Sequence, residues 1–471
     1  MPHSQLLPSV ASGNLTSGFL TELREGYTMD ASDQACHNAV TNNAINSLAL
    51  NRNVMRGDDG HFSHRIKSKG IMNQQQSGRC WMFAALNVMR PQVIRDYGME
   101  GFQFSTVYLQ FWDKLEKANV YLESIIELRD TDFLDRDWEM VNKMTLEDGG
   151  WWNFAASLVE KYGVIPVSVM PETYSSEHTA TFNHILERLL TVWASRILEK
   201  HEQGCDEDSL REEKNTALKD VYRFLVINLG EPPTDFEWRY KRSKSNQDAS
   251  SGDTKGEACV ADDQNLTTLE HYTPQSFYKK YVGLPLSEYV CLYHDAKNEL
   301  NKHYSLGRTQ NIVGKGDMHY VNVAPSSMKK IAAASIFANE PLWFAVDMKF
   351  DHSMQHGIME HQLYDYEALF ELDLAVSKED RIRFHSGIVG HAMALMGVDL
   401  DKNGEPRKWL VENSWGEDKG DKGAWTLHND WFDEHVYTII VHKRHVPAET
   451  LACFEDAPRE LPAWYPSMRS M

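Results

Sequence analysis

The chain has 471 residues, of which 42% are apolar and 25% are charged, and these fractions argue against a disordered protein. Its formal net charge of −20 predicts a soluble surface that repels a phosphate backbone, so nucleic-acid binding is not expected. The six cysteines are scattered without CxxC spacing, which argues against a disulfide framework and a zinc ribbon. The sequence has neither a signal-peptide pattern nor an uninterrupted apolar run of about 18 residues, which predicts a cytoplasmic protein without a membrane span.

The first two thirds of the chain predict helices. Pro91 is expected to kink or end the first predicted helix, at 80–94. The segment 241–264 is small, polar and charged, and it predicts an insertion loop or local disorder. Apolar residues recur at helical spacing in the segments 80–94, 107–122, 152–162, 185–202 and 329–338.

The last third of the chain predicts short strands instead. Helices first and strands last indicate an α+β architecture with a helical half and a β half. The predicted strands are 342–346, 391–398, 409–411, 424–427 and 436–441.

Cys80 is the strongest candidate for a reactive residue. It begins a predicted helix, where free backbone N–H groups stabilise a thiolate and lower its pKa. A thiolate that attacks a carbonyl group needs hydrogen-bond donors for the oxyanion of the tetrahedral intermediate. Gln74, which lies six residues upstream, and the backbone N–H of Cys80 are predicted to be these donors.

Acyl transfer also needs a base and a group that holds the base in one orientation. His391 begins a predicted strand, so its ring would project from a rigid element. Asn413 is predicted to accept the imidazole N–H and fix the tautomer. Trp81 and Trp415 are expected to support the site, with Trp415 shielding that hydrogen bond from water.

Together these motifs resemble a known family. The Cys-Trp pair at a helix start, the upstream Gln, the Gly-His-Ala strand and the Asn-Ser-Trp-Gly motif resemble the papain superfamily. His391 lies 311 residues after Cys80 (391 − 80), far beyond the roughly 130–150 residues of the papain type. From about residue 70 onward, the chain resembles one branch of this superfamily, the bleomycin hydrolase (aminopeptidase C) family. The segments that carry this resemblance are 73–74, 77–81, 412–417 and 461–464.

The resemblance implies a papain-like α+β fold. A helical subdomain would carry the Cys, a β-rich subdomain would carry the His and the Asn, and helical insertions would be added. The implied segments are 1–69, an N-terminal arm and wrapping segment; 70–175, the helical subdomain; 176–340, a helical insertion with a flexible loop at 241–264; 341–455, the β-rich subdomain; and 456–471, a C-terminal tail in the active-site cleft.

The resemblance also implies an activity and an assembly. Members are cytosolic cysteine aminopeptidases that use a thiolate–imidazolium pair, need no cofactor, and assemble as hexameric rings. Their substrates are peptides with a free N-terminus. The terminal carboxylate, here that of Met471, would meet the α-amino group of the substrate. Tyr465 and Arg469 depart from the usual family ending, so a tail that permits endopeptidase action is an open alternative.

Three further interpretations remain open at the level of sequence. Gly149 and Gly150 resemble the paired glycines that line a papain-type cleft, but they could equally form a tight turn before a helix. A nucleic-acid-binding or protein-scaffold ring with incidental peptidase activity is the alternative function. No metal site is predicted, because Gly357 interrupts the nearest histidine cluster and no HExxH motif is present. That cluster is interpreted as a solvated polar loop; it contains Asp351, His352, His356, Glu360 and His361.

Overall fold

A computed structural model describes residues 13–144, 147–243 and 265–466 of the chain. Two sequence-based predictions therefore fall outside the described residues. One is the role of Met471, and the other is the flexible loop at 241–264, apart from its first three residues. Lys241 and Arg242 are within the described part, where they form isolated bridges with Leu266 and Met99.

Seventeen α-helices occur in the described part of the chain. They are α1 (Ser17–Gly26), α2 (Ala31–Val40), α3 (Ile45–Ala49), α4 (Arg52–Gly57), α5 (Cys80–Tyr97), α6 (Thr106–Glu127), α7 (Arg136–Met144), α8 (Trp152–Tyr162), α9 (Tyr174–Glu177), α10 (Thr179–Glu202), α11 (Glu207–Leu229), α12 (Pro274–Phe277), α13 (Pro325–Phe337), α14 (Tyr366–Phe370), α15 (Lys378–Arg383), α16 (Asn429–His435) and α17 (Ala448–Ala452).

The same residues form fourteen strands. They are β1 (His64–Arg65), β2 (Phe236–Trp238), β3 (Glu270–Tyr272), β4 (Tyr289–Tyr293), β5 (His303–Leu306), β6 (Met318–Asn322), β7 (Leu342–Val346), β8 (His352–Ser353), β9 (Ile358–Met359), β10 (His391–Leu400), β11 (Pro406–Glu412), β12 (Ala424–His428), β13 (Val436–His442) and β14 (Arg459–Leu461).

The chain divides into two compact units. The smaller unit is Met1–Asn53 with Tyr364–Ala375, and the larger is Val54–Leu363 with Val376–Met471. In the smaller unit α1 and α2 bury no residue, although Asp30 caps α2 through a reciprocal capping box. All four residues predicted to form the catalytic group belong to the larger unit.

Twelve strands of the larger unit form one sheet, in the order β14-β5-β6-β4-β13-β7-β10-β11-β12-β9-β8, with β1 paired to β10. The central strands β7 and β10 are fully buried over most of their length, as their unbroken apolar runs predict. Helix α5 packs against both strands. This helix-on-sheet contact brings the start of α5 to the start of β10.

Most predicted elements are present, with shifted ends. The strand 342–346 and the helix 152–162 have the predicted bounds, and Gly163 ends the helix with a φ of +76°. Of the two outcomes expected at Pro91, a kink or an end of the helix, the end does not occur, because α5 continues to Tyr97. Proline removes one backbone donor, and the packing of both flanks of this buried helix outweighs that loss.

The predicted helical insertion at 176–340 contains strands as well as helices. Helices α10 and α11 fill residues 179–229, but β4, β5 and β6 follow and join the large sheet. Their aromatic and β-branched residues favour strands, yet each run is too short to be distinguished from a loop by periodicity. The larger division into five segments remains a prediction.

Two further findings concern the described residues only. The five cysteines among them are free, in agreement with the argument against a disulfide framework. None of the helices in these ranges combines the length and the apolar character needed to cross a bilayer.

Candidate active site

Cys80 is the first residue of α5, and its side chain is buried. Arg79 immediately precedes it, and its guanidinium donates to Ser77, Gln110 and Glu172, so the approach to the helix is rigid. The helix begins with hydrogen bonds from the Met82 and Phe83 N–H groups, in its first turn, to the Arg79 carbonyl. The thiol therefore has a fixed position at the helix start.

The pKa of this thiol differs from the value expected from sequence. The backbone N–H groups of Ala392, Trp81 and Cys80 lower it, as a helix start predicts, but burial outweighs them and raises the pKa of Cys80 to about 11. The contact with the Ala392 amide also places the sulfur beside the first residues of β10. The prediction of a lowered pKa was wrong for this closed site because it took no account of desolvation.

His391 and Asn413 meet at the open end of a β-hairpin. Strands β10 and β11 pair from Ala394 with Glu412 to Leu400 with Pro406, and an exposed turn at 401–405 closes the other end. The first residue of β10 and the residue after β11 are thus neighbours although 22 positions separate them. The His391 Nε2 and Asn413 Oδ1 atoms are 2.8 Å apart.

The environment of His391 orients the ring and excludes water. The Trp415 and His391 ring centroids are 4.6 Å apart, and both His391 and Asn413 are buried. Burial lowers the pKa of His391 to about 4, while the hydrogen bond with Asn413 acts in the opposite direction. The neutral imidazole donates from Nε2 to Asn413, which leaves Nδ1 as the acceptor for a proton.

Gln74 is fixed next to this pair by the chain that follows Asn413. The Ser414 hydroxyl donates to Gln74 Oε1 at 2.6 Å, and the Gln74 N–H donates to the Ser414 carbonyl at 2.8 Å. The Gln74 Nε2 donates to the Ser77 carbonyl at 2.5 Å, which uses one of its two N–H groups. The second N–H remains available for an oxyanion.

A buried ion pair holds the loop at 147–150 against the nucleophile helix. Asp148 pairs with Lys114 at 2.8 Å and accepts the Gly78 N–H at 3.0 Å, and its own carbonyl accepts from Trp81 Nε1 at 2.7 Å. Although burial acts in the opposite direction, Lys114, the Thr179 hydroxyl and the Gly78 N–H hold the pKa of Asp148 well below its usual range. Asp148 thus links the loop to residues on both sides of Cys80.

Gly149 and Gly150 lie on this loop, and both line a cavity of about 120 Å³. A Cβ on Gly150 would lie 2.5 Å from the Trp81 indole ring, so a close approach requires glycine there. The Gly149 carbonyl accepts from Lys117 Nζ at 2.6 Å. Ala463 of the C-terminal segment lines the same cavity.

The sequence-predicted residues Gln74, Cys80, His391 and Asn413 thus come together. Ser414, Asp148 and Lys114 are site residues that sequence reasoning missed. Ser414 had a signal, since it belongs to the Asn-Ser-Trp-Gly motif, but its partner lies 340 residues away in the chain. No sequence signal pointed to Asp148 or Lys114, because a lone charged residue is usually solvent-exposed.

Comparisons with known proteins identify the family of the chain. The Peptidase C1-like family model matches residues 14–468. Aminopeptidase C of Streptococcus thermophilus is 34% identical over 96% of this chain and 98% of its own length. Human bleomycin hydrolase is 31% identical over 97% and 99% of the two chains.

A solved structure is similar over the same length. It is PepW of Lactobacillus rhamnosis HN001, with a TM-score of 0.89 and 33% identity over 97% of this chain and 99% of that one. The mixed α/β architecture with one large sheet agrees with this likeness. The resemblance inferred from the motifs is confirmed, and the chain belongs to the Peptidase C1-like family.

Proposed function

We propose that this chain is a cytoplasmic cysteine aminopeptidase, similar to bleomycin hydrolase, that hydrolyses peptides from a free N-terminus. The observation that carries the proposal is the buried hydrogen bond between His391 and Asn413 beside the helix that begins at Cys80. The aminopeptidase names of relatives that match nearly the whole chain support it further. No observation favours the nucleic-acid or scaffold alternative, which the net charge of −20 also opposes.

In the first half-reaction, Cys80 is the nucleophile and His391 is the base. The Cys80 proton passes to His391 Nδ1, and a thiolate–imidazolium pair replaces two neutral groups. The thiolate then bonds to the carbonyl carbon, and the π electrons of the C=O bond move to the oxygen. Burial disfavours isolated charges, so the pair gains its stability from mutual attraction and from the Ala392 and Trp81 amides. Asn413 accepts from Nε2 and stabilises the imidazolium.

The oxyanion of the tetrahedral intermediate is the second requirement. Its donors in this proposal are the free N–H of Gln74 Nε2 and the backbone N–H of Cys80. When the intermediate collapses, the C–N bond breaks and the imidazolium protonates the leaving amine. Water then attacks the thioester with His391 as base, and Cys80 regains its proton.

The finer architecture belongs to the same proposal. A papain-like helical subdomain carries Cys80, and a β-rich subdomain carries His391 and Asn413. The tail 456–471 lies in the cleft with the Met471 carboxylate facing the substrate amine, and six chains form a ring. Support for the tail comes from Ala463, which lines a cavity with Gly149 and Gly150.

The test is hydrolysis of two matched fluorogenic peptides, one with a free α-amino group and one N-acetylated. The proposal expects preference for the free amine in the wild type and no turnover in Cys80→Ala. Full activity of Cys80→Ala would disprove the nucleophile. Equal cleavage of both peptides would keep the nucleophile but reject the role of Met471.

A further inference from the structure

A short hairpin brings two potential metal ligands to one point. Strands β8 and β9 pair antiparallel, with His352 opposite Met359. The backbone hydrogen bond from Glu360 to Asp351 continues this pairing by one residue, so Asp351 and His361 lie at the same end of the hairpin. The His361 Nδ1 and Asp351 Oδ2 atoms are 3.9 Å apart.

A third group approaches the same carboxylate from a different element. His435 is the last residue of α16, and its Nε2 lies 4.0 Å from Asp351 Oδ2. Its side chain is 2% exposed, and neither ring nitrogen has a hydrogen-bond partner. A buried imidazole without partners is costly in a folded protein, since such groups are normally hydrogen-bonded or bound to a ligand.

The surroundings hold His435 in this position. The Trp431 ring stacks on it with centroids 4.6 Å apart, and the Asp347 N–H donates to the His435 carbonyl at 3.0 Å. One ring nitrogen of a neutral imidazole has a lone pair that can bind a metal ion. Charged side chains of both signs lie near the three groups: Arg381 and Lys378 near His435, and Asp430 and Glu360 near Asp351.

The spacing of the three groups suits a single ion. Their ligand atoms all lie within 4.8 Å of one another. A tetrahedral zinc ion bound at about 2.0–2.1 Å separates its ligands by roughly 3.4 Å, so the two distances to Asp351 need to shorten by about 0.5–0.6 Å and no pair of ligand atoms by more than about 1.4 Å. Two imidazoles and one carboxylate favour zinc-like transition metals over Mg²⁺ or Ca²⁺.

We propose that Asp351, His361 and His435 bind one Zn²⁺ ion, which clips the β8–β9 hairpin to the end of α16. The side chain of His361 is 46% exposed, which provides an entry path and a place for a water ligand. The clip lies next to the central strands, because Val346 pairs with both His391 and Val436. Its role is structural and is separate from the acyl-transfer chemistry of Cys80.

The test uses the full chain with Cys80→Ala, which removes the buried thiol as a competing ligand. After chelation and removal of the chelator, isothermal titration with Zn²⁺ should give one ion per chain. His361→Ala should weaken the affinity at least tenfold, because one of three ligands is lost. The matched control is His356→Ala, an exposed histidine of the same hairpin that bonds to Ser353, and it should bind within twofold of the parent.

Cobalt provides an independent measurement. The Co²⁺ complex should show visible d–d bands without the near-ultraviolet band of a sulfur ligand. Circular dichroism would verify that His361→Ala is folded, and Asp351→Asn provides a second variant with the same expectation. Equal affinity in His361→Ala and His356→Ala, or a sulfur band in the Co²⁺ complex, would overturn the proposal.

Discussion

Ser414 determines which way the Gln74 amide points. Its hydroxyl donates to Gln74 Oε1, so the amide nitrogen faces away from it. We expect Gln74→Ala to lower kcat by about 10²–10³, the usual effect of losing one oxyanion donor. Ser414→Ala should lower kcat only about tenfold with KM unchanged, because it removes a single hydrogen bond that positions the donor.

Steady-state kinetics of the double variant separates positioning from a general structural effect. If Ser414 acts through Gln74, Gln74→Ala/Ser414→Ala should be no slower than Gln74→Ala alone. Ser335→Ala is a matched control. Ser335 lies on α13, is also buried, and donates to one carbonyl, that of Glu340. Multiplicative losses in the double variant would contradict the positioning role.

Lys378 makes stability depend on pH. Burial lowers its pKa to about 7, while the unfolded chain keeps a lysine pKa of about 10.4, so the unfolded state binds the extra proton between these values. Below pH 7 the folded chain carries the full free-energy cost of the buried charge. This cost falls as the pH rises, because the lysine loses its proton. We expect the free energy of unfolding to rise by about 2 kcal/mol from pH 7 to pH 9 through this group.

Urea unfolding at several pH values measures this effect. Lys378→Met should lack the rise, and the exposed Lys330→Met should retain it. The comparison between variants removes the contribution of other groups that titrate in this range. An identical pH dependence in Lys378→Met and wild type would show that the lysine is not desolvated.

At the scale of elements, the contact between the 147–150 loop and α5 leaves no space for an added methyl group on Gly150. We expect Gly150→Ala to lower the free energy of unfolding by about 1–3 kcal/mol, because the new methyl group overlaps the Trp81 ring. Its activity should fall as well, since Trp81 adjoins the nucleophile. Gly101→Ala is the control, because nothing lies within 4 Å of its Cβ position. Denaturant unfolding and hydrolysis assays check both variants, and equal stability of the two would refute the close contact.

Sequence reasoning succeeded where the signal is local. The helix at 152–162 ends at a glycine with positive φ, and Cys80, Gln74, His391 and Asn413 belong to short motifs. It failed where the determinant is a distant partner. No periodicity identifies β4 to β6, which become strands by pairing with the sheet.

The residues that support the site were missed for the same reason. Lys114 and Asp148 are opposite charges on separate elements, and only the fold shows that they form a buried pair. His435 follows the histidine cluster at 352–361 by a long segment of chain, so spacing could not associate it with Asp351. The thiol pKa was misjudged because desolvation is a property of the tertiary structure.

At the scale of the whole molecule, the proposed hexamer predicts a mass. Six chains of 54.1 kDa give about 325 kDa (6 × 54.1). Light scattering after size exclusion should find this mass for the wild type and also for Cys80→Ala, because the thiol is buried and takes no part in assembly. A mass near that of a single chain would reject the ring.

In the β10–β11 hairpin, His391 and Asn413 lie at one end of the strand pair and the turn lies at the other. Strand pairing from Ala394–Glu412 to Leu400–Pro406 brings His391 and Asn413 together, so the turn at 401–405 only joins two strands that are already aligned. That turn is therefore a suitable place to open the chain. New termini for a circular permutant, or an inserted fluorescent module, could be introduced there while the spacing of the reactive groups is preserved.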